Sequence, residues 1–465
     1  MPWQPRPKMQ FQFERMNVGS NRQVVAPSAI STKSAPVGGE GGGSASTSPR
    51  YGGQTVTMSQ NTAPVAADDP QRQAVDAAID ALLSAHDPKA EDNITFRGAR
   101  YDHGLAWVHF PKGVGGLGVR PELNRYVEER LTKAGAKPAD PASFFLLLAG
   151  PTIATHGTDE QRQRFLRPMF TGEELWCQLF SEPGAGSDFA SLATRAVRDG
   201  DEWIVNGQKV WNTLAHLAQW GMLVTRTDPT QPKHKGMTYF ALDMHSPGVE
   251  VRPLRQITGE AEFNEVYMTD ARIPDANRIG AEGEGWRVSL TTLMNERTSI
   301  GGSGSTAPVK RGGPANDAVR VWKSLADDRR SAVARDQLAK LWIEGEVLRL
   351  TNRRAAQSMA VGNPGPEGSV AKLAYAELNK RLYSFIIDLL GMDGQIDYDY
   401  TFRRPDGVDL ANESSGFQHA FLRVRANSIE GGTSEIMRNI LGEQVLGLPG
   451  EPRLDKDRPW SEVPR

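Results

Sequence analysis

Apolar spacing changes period twice along this chain of 465 residues, and the order it imposes, helical, then sheet, then helical, limits the fold more than any one motif. The first helical pattern opens at Asp69-Pro70, an N-cap followed by proline at the first helical position, and puts Val75, Ile79, Leu82 and Leu83 on one face. Helical spacing continues through 122–131 and 159–166. From about residue 175 the signals become those of sheet. Asp199-Gly200 and Asn206-Gly207 are both hairpin dipeptides, and they flank the strand-like Glu202-Trp203-Ile204-Val205. Residues 237–242, 249–251 and 263–274 extend that pattern. After Gly285 the helical period returns, with one stripe at Leu338, Leu341, Trp342, Gly345 and Leu348 and another at Leu378, Leu382, Phe385, Ile386 and Leu389. Glycine-rich 301–305 and turn-rich 362–366 are expected to be loops.

The expected fold class is α+β and multidomain: an N-terminal helical domain over 61–174, a central antiparallel β-domain over 175–282, and a C-terminal four-helix-bundle-like domain over 283–449. Residues 1–60, rich in Gly, Ser, Pro and Gln without periodic apolar spacing, are expected to form a disordered extension, and 450–465 a C-terminal tail.

Charge and cysteine content narrow the function classes. Lys+Arg 54 against Asp+Glu 56 gives a net charge of −2, so no whole-chain field recruits a polyanion, and nucleic acid is not an expected partner. The single cysteine, Cys177, excludes an intrachain disulfide and a cysteine metal cluster, and suits the cytoplasm. The mitochondrial matrix is the alternative if 1–60 is a transit peptide. The longest apolar run, near 144–149, is far short of the roughly 18–20 residues of a membrane span. Gly113-x-Gly115-x-x-Gly118 matches a dinucleotide fingerprint but lacks the βαβ surroundings that chemistry needs, so a glycine turn is the expectation.

Four further stretches carry a specific signal. They are Ser181-Glu182-Pro183-Gly184-Ala185-Gly186-Ser187-Asp188, then 206–213 ending in Trp211-Asn212-Thr213, then Phe263-Asn264-Glu265-Val266, and last Glu430-Gly431-Gly432-Thr433-Ser434-Glu435-Ile436-Met437-Arg438. In this order and on this background the chain resembles the acyl-CoA dehydrogenases across roughly residues 69–449. The resemblance implies FAD-dependent α,β-dehydrogenation of an acyl-CoA, with electrons leaving to an electron-transfer flavoprotein, in a homodimer or homotetramer; a hetero-oligomer stays open. It places Phe180, Ser181, Trp211, Asn212, Thr213, Thr433 and Glu435 at the flavin. Ser187, Arg297 and Gly431 fall at substrate positions. The chemistry agrees, because an isoalloxazine needs a flat apolar contact, which an indole offers, and hydroxyl partners at its polar edge.

The base departs from the commonest pattern. Registering the tail on Gly-Thr-Ser-x-Ile puts Gly431 where many members carry their catalytic glutamate. Isovaleryl- and long-chain-type members instead carry it on a helix directly before an arginine, and Glu296-Arg297 stands at that position; Glu430 is the alternative. The Arg-x-x-Phe-Gly stretch of many members is replaced by Asp327-Asp328-Arg329-Arg330-Ser331, and the glycine-rich Gln-x-x-Gly-Gly loop by 388–394, so the intersubunit half of the flavin site is open. Ser289 and Thr292 share a helix face with Glu296, and their small side chains lead us to expect a roomy acyl pocket. Alternative functions are an oxidase using O2 and a non-catalytic or DNA-associated member of the superfamily.

Overall fold

The computed structural model describes residues 68–139, 143, 145–300, 310–360, 367–397, 400–407, 416–452, 455 and 457–463, all within the unit Thr62–Arg465; for 297–300, 356, 358–360 and 367 only the backbone is described. The expected disordered extension 1–60 and the loops expected at 301–305 and 362–366 lie outside these residues.

Asp69 caps the first helix by accepting from the N–H groups of Gln71 and Arg72, and α1 (Pro70–Ala85) buries Val75, Ile79 and Leu82. These pack with Phe96 of α2 (Asn93–Asp102) and with Leu123, Val127 and Leu131 of α3 (Leu123–Ala134) into one cluster. Next come α4 (Leu146–His156) and α5 (Asp159–Thr171). A Thr158/Gln161 capping box starts α5, and the same Gln161 side chain donates to the carbonyls of Ala276 at 2.7 Å and Arg278 at 2.9 Å. The cap thereby fastens the helical part to the edge of the sheet.

The sheet contains β1 (Trp176–Leu179), β2 (Arg195–Asp199), β3 (Glu202–Lys209), β4 (Trp220–Arg226), β5 (Met237–Asp243), β6 (Val249–Pro253), β7 (Asn264–Pro274) and β8 (Arg278–Ile279). Its strand order is β6-β7-β3-β2-β4-β5-β8, with β1 beside β4. The ladders are antiparallel except for β1–β4 and the single pair Arg195–Arg226 of β2–β4, which are parallel. Asp199-Gly200 makes the expected β2–β3 hairpin, Gly200 standing at φ +66°.

Asn206-Gly207 is not a hairpin turn. It lies inside β3 opposite a bulge in β7, where Asn206 and Asp270 exchange hydrogen bonds of 2.9 and 3.0 Å and Asp270 takes φ +49°. Glycine is required at 207 because a Cβ there would stand 2.3 Å from Thr194 Oγ1. Gly113, Gly115 and Gly118 all take positive φ in a run of turns closed by the Gly118 N–H on the Phe110 carbonyl, as a plain glycine turn requires.

The remaining helices are α6 (Gly285–Ile300), α7 (Asn316–Ser324), α8 (Ala332–Ala360), α9 (Glu367–Leu390), α10 (Phe417–Arg423) and α11 (Ser434–Ile440). Leu338, Leu341 and Leu348 of α8 and Leu378, Leu382, Phe385, Ile386 and Leu389 of α9 form a core with α7 and α10, as their spacing predicts. A second cluster runs from α4 and α5 through Phe180, Met222 and Tyr239 of the β-domain to Val288 of α6. That junction holds the candidate site.

Candidate functional site

The loop after β1 is fixed from below by a buried ion pair. Glu182 accepts from Lys209 Nζ at 2.8 Å, and from the backbone N–H groups of Ala193 at 2.7 Å and Thr194 at 2.9 Å. Lys209 is wholly buried and also donates to the Phe180 carbonyl at 3.1 Å. Burial pushes the Glu182 carboxyl upward, but Lys209 and the backbone donors outweigh it and hold it below the usual carboxylate range. Sequence reasoning missed this pair, although a lysine closing an otherwise half-buried strand was its signal.

Above this anchor, Ser181 accepts the Val210 N–H on its carbonyl at 2.9 Å, which puts the two motif stretches edge to edge. The Phe180 ring stacks on Phe189 at 4.8 Å and meets Tyr239 edge-on, so it belongs to the core. Trp211 is different. Its backbone takes φ +62° and its indole is 58% exposed, touching Phe263 edge-on at 5.7 Å. A bulky residue in the left-handed region costs about 1–3 kcal/mol, strain of the kind that gathers at functional sites. Asn212 is buried beside it: its Nδ2 donates to the Gln178 carbonyl at 2.8 Å, while its Oδ1 has no partner among the described residues. Thr213 is half-buried, and Ser187 is exposed on the loop.

Glu296 arrives from α6. Gln178 of β1 donates through Nε2 to Glu296 Oε2 at 3.2 Å, so Gln178 joins the Asn212 side to the helical candidate base. Arg297 follows on α6; its side chain is outside those described. Ser289 and Thr292 do not open a pocket. Both are fully buried; Ser289 Oγ donates to the Gly285 carbonyl, and Thr292 Oγ1 lies 2.9 Å from Thr152 Oγ1 and 3.2 Å from the Tyr239 hydroxyl. Their small volume is used up by close packing of α6 on α4 and β5, which overturns the expectation of a roomy pocket from these two residues.

Glu430 approaches from the other side and is already engaged. It accepts from Arg423 NH1 and NH2 at 3.3 and 3.1 Å and from Asn427 Nδ2 at 2.8 Å. Arg423 also pairs with buried Glu262 at 3.3 Å and stands 5.8 Å from the Phe263 ring that touches Trp211. Gly431 and Gly432 take φ +60° and +92°, and a Cβ on Gly432 would meet Met437 at 2.6 Å, so this turn needs both glycines. The Lys372 ammonium, buried on α9, donates to the carbonyls of Gly432 and of Asn427, the latter at 2.9 Å. Burial holds Lys372 below its usual range against the fields of Glu430, Glu296, Glu377 and Glu435. Lys372 was not singled out from the sequence. Thr433 caps α11 by accepting from the Ile436 N–H at 3.1 Å, and Glu435 on its first turn is largely exposed, facing Arg438 at 3.4 Å.

Two departures in the sequence meet in one surface cavity: Arg329 and Ser331 line it from one stretch, Asp388 and Leu389 from the other. Among the described residues no cluster of His, Cys, Asp and Glu could hold a metal ion, and no helix is long and apolar enough to cross a membrane.

Comparison with known proteins bears on this geometry. The acyl-CoA dehydrogenase N-terminal domain matches residues 68–173, the middle domain 177–271 and the C-terminal domain 283–446. The acyl-CoA dehydrogenase FadE34 of Mycobacterium tuberculosis is 39% identical over 350 residues, which is 75% of this chain but 45% of FadE34, so the chain spans under half of that relative. The acyl-CoA dehydrogenase IpdE1 of the same organism is 38% identical over 350 residues, 75% of this chain and 86% of IpdE1. Among solved structures, the ChsE4-ChsE5 complex from M. tuberculosis aligns at TM-score 0.60 and 26% identity over 83% of this chain and 100% of that one.

Proposed function

Because the chain belongs to the acyl-CoA dehydrogenase family, we propose that it binds FAD and oxidises an acyl-CoA thioester to the 2,3-enoyl-CoA, with an electron-transfer flavoprotein taking the electrons. The observation that carries this reading is that Gln178 bonds both Asn212 and Glu296 while Ser181 accepts the N–H of Val210, the residue before Trp211. The residues fit the cofactor. An exposed, strained indole beside a buried amide oxygen with no partner among the described residues is what a flat heteroaromatic ring with a polar edge would satisfy. Trp211, Asn212, Thr213, Phe180 and Ser181 would border it, and Thr433 and Glu435 would help hold it. When bound, FAD supplies the hydride acceptor.

The chain's own residues supply the rest. Glu296 takes the α-proton, with Arg297 next to it. The Gly431 N–H, on a turn held by Lys372, donates to the thioester oxygen and lowers the cost of the enolate. Ser187 meets the thioester end from its exposed loop. Glu430 is the weaker candidate, because Arg423 and Asn427 occupy its carboxylate.

Self-association into a dimer or tetramer is supported by Ile343, Val347 and Leu350, an apolar stripe on α8 exposed by 57, 57 and 48%. A relative seen as a complex of two chains, ChsE4-ChsE5, keeps a hetero-oligomer in view. Buried free Cys177 suits a reducing cytoplasm.

Anaerobic titration of purified protein with a panel of acyl-CoAs tests the reading, the expected result being a yellow protein whose flavin absorbance bleaches with at least one of them. Colourless protein that FAD does not reconstitute, or flavin that no acyl-CoA bleaches, overturns it. Oxygen uptake on turnover would make the enzyme an oxidase.

A further inference from the structure

Residues 459–461 are built onto the β-domain. The backbone N–H groups of Trp460 and Ser461 donate to the carbonyls of Gln231 at 2.9 Å and Pro229 at 3.0 Å, and Pro459 bridges Pro232, so this segment pairs with the connection between β4 and β5. The Trp460 indole lies against the guanidinium of Arg226, 4.9 Å from its carbon, and Nε1 donates to the Ser191 carbonyl at 3.3 Å. Arg226 is 2% exposed and turns its other side to the same loop, donating to the Ala190 carbonyl at 2.6 Å and to the Lys233 carbonyl at 2.8 Å.

A charge link lies alongside. Lys233 Nζ, its side chain 12% exposed, stands 3.0 Å from both carboxylate oxygens of Asp188 and 2.6 Å from Asp455. A half-buried lysine between two carboxylates is held in one position in a way a rim pair is not, because its stem cannot swing into water. Asp188 directly follows Ser187, and Ala190 and Ser191 lie on the same loop, so the terminal segment reaches that loop directly through Trp460 and indirectly through Lys233, which Asp455 pairs, and Arg226, which Trp460 covers.

We propose that Asp455 and Trp460 are positioning residues: they fix the Ser181–Ser191 loop in the conformation that receives the thioester end of the acyl-CoA. This rests on the reading that Ser187 borders the substrate. A loop whose ordering is completed in advance does not draw on binding energy to order itself, so freeing it weakens binding of the ground state and of the transition state alike.

Three variants test the proposal: Asp455→Asn, Trp460→Ala and a chain ending at residue 452. Amide hydrogen exchange of the full-length, ligand-free protein comes first. Exchange across 183–191 should quicken in each variant while β3 stays protected, and Asp455→Glu should restore it. With the acyl-CoA that bleaches the wild type best, Asp455→Asn should raise KM about five- to tenfold at unchanged kcat and flavin content, the signature of lost uniform binding. Unaltered exchange at 183–191 in Asp455→Asn and Trp460→Ala overturns the proposal, as does a loss of kcat and flavin with KM unmoved. If no acyl-CoA bleaches the wild type, the functional reading fails while the exchange data still decide whether the segment fixes the loop.

Discussion

Gln178 donates to Glu296 at 3.2 Å through its side chain and accepts from Asn212 at 2.8 Å through its carbonyl, so one residue of β1 ties the proposed flavin border to the proposed base. A base must be held within tenths of an ångström of the proton it removes, and a single hydrogen bond from a rigid strand does much of that. Gln178→Leu keeps the volume and the backbone carbonyl but removes the donor. We expect kcat to fall roughly tenfold with flavin content unchanged, as a misplaced rather than missing base would give. Wild-type turnover in stopped-flow flavin reduction would show that the contact is incidental.

Lys209→Met tests the anchor under the loop. Breaking a buried ion pair by removing one partner costs roughly 3–5 kcal/mol, because the other charge stays buried. Glu182 would keep the Ala193 and Thr194 N–H groups, so the lower end of that range is expected. Urea unfolding measures it. The double variant Glu182→Gln/Lys209→Met should lose less than the sum of the two single variants, and strict additivity would mean the pair is not coupled.

The elements most legible in the sequence were those with an amphipathic period or a cap. Asp69-Pro70 opened α1 and the α9 stripe faced the core because each pattern reports burial on one side. Strands β1, β4 and the two-residue β8 escaped. The six residues of β4 from Gly221 to Arg226 are all buried, so no alternation marks them. Asn206-Gly207 misled because a glycine forced by contact with Thr194 looks like a glycine forced by a turn. At the site, motif residues could be named one by one, but Gln178, Lys209, Lys372 and Arg423 each have a partner more than 25 positions away, and one sequence does not say which residue that partner is.

Glu262 gives a pH-dependent prediction. Burial pushes its carboxyl above the usual range; Arg423 opposes this, and Glu430 and Glu260 add to it. An acid whose pKa is raised on folding costs stability once it ionises. That cost is absent below the unfolded value of about 4.3, grows as pH rises, and is complete above the folded value. Glu262→Gln removes it, so the variant should gain on the wild type in urea midpoint as pH rises from about 4.5 toward 8. A difference that does not change with pH would refute the assignment.

The choice between the two glutamates turns on what each carboxylate is already doing. Glu430 accepts from Arg423 and Asn427, bonds that engage both of its oxygens next to the turn on which Gly431 sits. Drawing that carboxylate toward a substrate carbon would break both of its bonds to the half-buried Arg423, which would keep Glu262, and would release the Asn427 amide. Glu296 accepts from Gln178, a strand residue that also orders Asn212. Glu296→Gln keeps size and hydrogen bonding but not basicity. Flavin reduction should fall by roughly a thousandfold or more while FAD and acyl-CoA still bind. Glu430→Gln should cost roughly tenfold or less, through the turn rather than the chemistry, and should lower thermal stability more than Glu296→Gln does. The opposite ranking in single-turnover reduction, with Glu296→Gln near wild type and Glu430→Gln inert, would move the base to the loop.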